Sequence, residues 1–187
     1  MQQPERTTEQ AWLIAGLQRL AFVDQDNSSV NDIATWSMRG IGQSWLSRAA
    51  PSLVRIDRSN SSTSSDPRTA PPIASSEDEN LTAAQLANAE RRVGLADYVE
   101  ARGYLQAASE YLERAVAAAP AQRALSGDLL VTAAEAYLSL GKVSSPRVNE
   151  RYFRRALQLL GAAAAIQGFA LSPDLQSFLD EYRWLIV

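Results

Sequence analysis

With 187 residues, 46% of them hydrophobic, the chain can bury a substantial core, and its formal net charge of −3 speaks against general affinity for nucleic acid or an acidic membrane surface. It contains no cysteine and no histidine, which excludes disulfides, a Ser-His-Asp triad and a Cys/His zinc site. No stretch approaches the roughly 20 consecutive apolar residues of a bilayer-spanning helix.

Positive charge is carried by arginine, with Lys142 the sole lysine. Schiff-base or phosphate-loop chemistry would therefore rest on one residue with no glycine-rich loop before it. No cofactor, metal or catalytic residue is expected, and the chain reads as non-enzymatic. The absence of cysteine fits an intracellular, reducing compartment, with the cytoplasm as the first expectation. Residues 38–65 are rich in arginine and serine, with Asp57 their one acid. That composition resembles a mitochondrial presequence placed internally, so the mitochondrion stands as the alternative.

Residues 1–52 read as a helical block. Thr8 can cap a first helix in which Leu13, Leu17, Leu20 and Ala21 recur at helical spacing. The polar run at 24–29 (DQDNSS) forms a turn. A second helix then carries Ile33, Ala34, Met38, Ile41 and Trp45, and should end before Pro51. Trp12, Trp36 and Trp45 all fall in this block. They either pack the helices on each other and on the rest of the chain, or form a docking surface.

Residues 53–80 read as a linker. From 57 to 79 serine and proline crowd together with almost no large apolar residue, so burial cannot offset the entropy of ordering the segment, and disorder is expected. Ser75 and Ser76 precede Glu77, Asp78 and Glu79. That pattern suits an acid-directed kinase, or simply an acidic entry to the next helix.

Residues 81–187 are strongly helical. Thr82 and Gln85 make a capping-box signature for a helix expected to run to about Arg102, followed by a partner from about Leu105 to Ala119 and a stop at Pro120. A further helix is expected near 126–140, closed by Gly141 as a left-handed C-cap, and another after Pro146. Ser172 as N-cap with Pro173 at the first helical position starts a last helix. The apolar run from Trp184 to Val187 should dock rather than fray, onto the chain itself or into a partner.

Leu95, Ala96, Gly103, Ala108, Leu112, Ala115 and Pro120 follow the small-large pattern of a helical hairpin of about 34 residues. The run from Ala134 to Gly141 repeats it, with Gly141 falling on Gly103, and Phe153 and Ala156 matching after a short insertion. On these residues, from about 89 to 160, the chain resembles a tetratricopeptide repeat protein. Arg92 and Leu130 stand where the family carries a first-helix tryptophan. The resemblance implies an all-α fold: an N-terminal helical pair plus a short array of α-α hairpins ended by a capping helix. Ala108 and Ala115 would lie at a close helix crossing.

The resemblance also implies a concave groove lined by first helices, here Val93 and Asp97, then Asp128, Val131, Thr132 and Glu135. No lysine or asparagine clamp for a terminal carboxylate stands there, so chaperone-tail binding is not expected. The acids would instead favour a protein partner offering a basic or amphipathic segment. Arg147, Arg151 and Arg154 share a helix face with Arg155 beside it, either a solvated face or a basic stripe for an acidic partner. The expected function is a non-catalytic adaptor or scaffold. The alternative is a small structural or assembly subunit of a larger, organellar or membrane-associated complex.

Overall fold

The structure, a computed structural model, describes residues 28–63, 83–119 and 125–186. Among them the chain is all-helical, with six α-helices and no strand: α1 (Ser28–Thr63), α2 (Ala83–Val93), α3 (Ala96–Ala118), α4 (Gly127–Lys142), α5 (Pro146–Ala164) and α6 (Pro173–Tyr182), closed by a 3-10 turn (Arg183–Ile186). The expected first helix at Thr8, the caps at Thr82 and Pro120, and Ser75 and Ser76 lie outside the described residues.

Helix starts are set by local chemistry. Ser126, Ser145 and Ser172 each accept a backbone N–H of the following turn, and Pro146 and Pro173 occupy first-turn positions, where their missing N–H costs nothing. Asp128 in the first turn and Lys142 in the last complement the α4 dipole.

Packing proceeds in the order α1, α3, α4, α5, α6, with α1–α3, α3–α4 and α4–α5 antiparallel. Along α1 and α3, Trp45 stacks on Tyr104 with ring centroids 5.9 Å apart. At the far end of the pair, Asn60 and the Tyr98 hydroxyl hydrogen-bond at 3.1 Å. The two helices come closest where Gly42 faces Leu112: a Cβ at Gly42 would lie 2.6 Å from the Leu112 Cγ and 3.3 Å from the Ala108 carbonyl oxygen. Ala108 and Ala115 are fully buried on α3.

One core joins the second half of α3 to α4, α5 and the C-terminal elements through Leu112, Leu129, Leu157, Leu160, Leu179 and Leu185. A second joins α1 to the first half of α3 and the end of α4 through Ala49, Ile56, Tyr98, Leu105, Leu140 and Val143. The helical hairpins α1–α3 and α4–α5 thus share α3–α4 contacts. Short α2 lies beside the start of α3, where Arg102 donates to the Val93 and Val143 carbonyls at 3.1 and 2.8 Å.

Three expected boundaries are corrected. Helix α1 does not end before Pro51 but runs on to Thr63, into the segment read as linker. Pro51 and Ser47, whose carbonyl loses its donor, are both exposed, while Ser52, Ile56 and Asn60 hold the continuation against α3. The turn assigned to Gly103 is absent: the break falls at Gly94–Leu95, and Gly103 lies inside α3. Close packing by Tyr98, Ala101, Leu105 and Ala108 against α1 and α4 keeps that helix continuous. Gly141 is not a left-handed cap either, since α4 continues to Lys142. Its missing Cβ instead admits the Phe153 ring, whose Cζ would stand 2.8 Å from that atom. Among the described residues the left-handed glycine is Gly168, with φ of 81° between α5 and α6.

Candidate partner-binding surface

Four of the six residues expected to line a groove fall on one face of α4. Asp128, Val131, Thr132 and Glu135 follow at i, i+3, i+4 and i+7, opposite the side that buries Leu130, Ala133 and Ala134. Asp128 and Glu135 are exposed, Val131 and Thr132 half-buried. The Thr132 hydroxyl donates to the Asp128 carbonyl at 2.7 Å, which leaves the Asp128 carboxylate to solvent. Neither acid forms an ion pair among the described residues.

The other two do not join them. Val93 ends α2 and packs half-buried against the second core. Asp97 opens α3, and because α3 and α4 are antiparallel it lies toward the Val143 end, roughly 20 Å along the helix axes from Asp128. Asp97 is also occupied: the Arg55 Nε donates to it at 2.7 Å. The same guanidinium reaches Glu100 at 2.7 Å, and the Ser52 hydroxyl donates to Glu100 at 2.7 Å. The hydrogen bond to Asp97 is the main cause that holds Arg55 protonated beyond its ordinary range. The expected single acidic groove is therefore divided between α4 and an ion-paired α1–α3 seam.

The arginine stripe is consumed in the same way. Arg147 lies 3.5 Å from Glu90, and Arg154 donates to Glu150 at 2.6 Å. Arg151 donates to the Tyr152 hydroxyl at 2.6 Å and lies over its ring. Arg155 is hydrogen-bonded to Glu113 on α3 and to Gln158 at 3.2 Å. These residues border a shallow, open depression along one side of α5.

Beneath Arg155 sits a polar cluster that sequence reading missed. Tyr137 of α4 stacks on Tyr152 of α5, with centroids 6.4 Å apart, beside the Glu113–Arg155 pair. Burial first, then the Glu113 charge, pushes the Tyr137 hydroxyl up to about 12. No spacing rule links Glu113, Tyr137 and Arg155, which come from three helices. Their chemistry ties α3 and α5 across α4; no cluster of acids suited to a metal ion occurs among the described residues.

No protein-family model matches the chain, and comparison with curated proteins and with solved structures gives no match. Among the described residues no helix is long and apolar enough to cross a membrane.

Proposed function

We propose that the chain is a non-catalytic adaptor that receives a basic or amphipathic segment of a protein partner along the exposed face of α4. One observation carries this reading: Asp128 and Glu135 project from one face, about 10 Å apart along the helix axis, with Val131 and Thr132 between them. Asp97, Glu100, Glu113 and Glu150 are taken by arginines, whereas this pair has no such partner among the described residues. Two carboxylates bracketing an apolar step suit a helix with basic flanks and an apolar stripe. Glu135 and Asp128 would set orientation and encounter rate, and Val131 would supply contact area.

The test is binding of a synthetic amphipathic helical peptide with arginines on one face, measured at low and at physiological salt. Asp128→Lys with Glu135→Lys should slow association several-fold and flatten its salt dependence. Asp97→Lys should leave association unchanged, because that carboxylate is bound to Arg55. Equal binding by all three proteins would sink the proposal.

A second reading, a structural or assembly subunit, is favoured by the exposed side chains of Trp36, Val99 and Trp184. Under that reading the isolated chain self-associates or precipitates instead of remaining a monodisperse monomer in size-exclusion chromatography.

A further inference from the structure

The face of α1 turned away from α3 has a composition of its own. Ile33, Trp36, Gly40, Ser44, Ser47, Pro51 and Val54 recur at steps of three and four residues, so they form one stripe along the helix. All of them are exposed, Trp36 to 73%, Ile33 to 55% and Val54 to 53%, and a Cβ on Gly40 would meet nothing within 4 Å. No charged residue falls on the stripe between Ile33 and Val54; the next step along it is Arg58. An open tryptophan on an uncharged face is a large apolar group whose burial is strongly favoured. The order of sizes also reads alike from either end: large side chains flank a centre of glycine and serine.

We propose that this stripe pairs two copies of the chain, antiparallel about a two-fold axis that passes between Ser44 and Ser47. Under such an axis residue i of one copy meets j of the other, and j meets i. Ser44 then faces Ser47, Gly40 faces Pro51, and Trp36 lies against Val54 at both ends of the contact. The small central residues let the helices approach, and the two tryptophans close the ends. Charge agrees with the pairing. Arg58 falls opposite Ile33, whose side chain can cover the arginine stem, and the two copies' Arg58 residues stand about 38 Å apart. A partner of another sequence would require no such symmetry in the stripe. One helix face of this length and about 11 Å wide offers roughly 400 Å² per copy, which places the pair among weak, reversible contacts. The pairing does not involve the α4 surface, so Asp128→Lys with Glu135→Lys should leave it intact.

The chain contains no cysteine, so the register can be read by cross-linking. Full-length Gly40→Cys carrying an affinity tag is mixed with untagged Pro51→Cys under mild oxidation. Both positions are exposed, and neither substitution touches the packing on α3. The mixed disulfide should form about tenfold faster than either like pair. Opposed positions bring their Cβ atoms near the roughly 4 Å that the bond needs, whereas like positions lie about 16 Å apart along the axis. Equal rates for the three disulfides overturn the proposal, and so does a preference for like pairs, the mark of a parallel contact.

Sedimentation equilibrium of the unaltered chain gives an independent readout. It should show a reversible dimer with a dissociation constant on the order of 100 μM, which Trp36→Ala weakens at least tenfold. A dimer unchanged by Trp36→Ala overturns the proposal. A monomer at every concentration also overturns it, leaving the face to the rest of the chain or to another protein. Species larger than a dimer reject the closed pair and favour the structural-subunit reading instead.

Discussion

Tyr137 and Gly103 illustrate opposite sources of information at the residue scale. The phenol is perturbed by partners that no local pattern predicts: Glu113 lies 24 positions earlier and Arg155 lies 18 later in the chain. In the folded protein Tyr137 keeps its proton up to about 12, whereas an unfolded tyrosine loses it near 10. The unfolded chain therefore binds fewer protons between those values. The Tyr137 contribution to stability is complete below pH of about 10 and is lost as pH rises through about 12. In a tyrosinate absorbance titration, Glu113→Gln should move this late phase downward by removing the nearby charge, while burial retains part of the upward shift. Tyr137→Phe should abolish the phase and so assign it. A late phase that survives Tyr137→Phe unchanged would assign it to another tyrosine.

At the scale of elements, the glycines show which local signals were legible and which were overruled. Ser172 and Pro173 announce the start of α6 because capping depends on residues within one turn, and the structure puts the helix there. Gly103, Gly141 and Pro51 look like stops in the sequence, yet all three lie within helices. Their neighbours on the buried side supply enough packing to override the local preference. Aligned as equivalents in the repeat reading, Gly103 and Gly141 occupy opposite environments: the first faces open space, the second the buried ring of Phe153. Replacing each with alanine should separate them by sign. Gly103→Ala should stabilise the fold by about 0.5–1 kcal/mol, the intrinsic helix preference of alanine over glycine. Gly141→Ala gains the same preference but crowds Phe153, and overpacking of about 1–3 kcal/mol should leave it less stable. Denaturant midpoints check both. A rise for both variants would mean that α4 and α5 are not in the close contact described, and a fall for both would restore a turn at Gly103.

For the whole molecule, nearest-neighbour packing makes stability local. In a stack where each helix packs chiefly on those beside it, damage at one end should weaken the elements near that end more than those remote from it. The all-helical class and the succession of helices after Pro146 were legible, because apolar periodicity and serine caps are short-range signals. The pairing of α1 with α3 was not legible. Thirty-two residues separate Thr63 from Ala96, and serine-rich composition across that interval suggested a divided molecule. Ser52 and Arg55 then proved to bond to Glu100 and Asp97 on α3. The consequence can be probed at the opposite edge. Leu185 is 8% exposed and joins Leu179, Leu159 and Leu160 in the main core from a single 3-10 turn. Leu185→Ala should cost about 2 kcal/mol, the lower end for a buried leucine, since an edge site can relax toward solvent. Hydrogen exchange should show amides of α5 and α6 losing protection first, because those helices pack directly on the terminal turn. Amides in the α1–α3 seam should keep most of theirs, held by Trp45 on Tyr104 and by the Arg55 network. Uniform loss across all helices would mean that the chain unfolds as one cooperative unit, and the nearest-neighbour account of the array would fail.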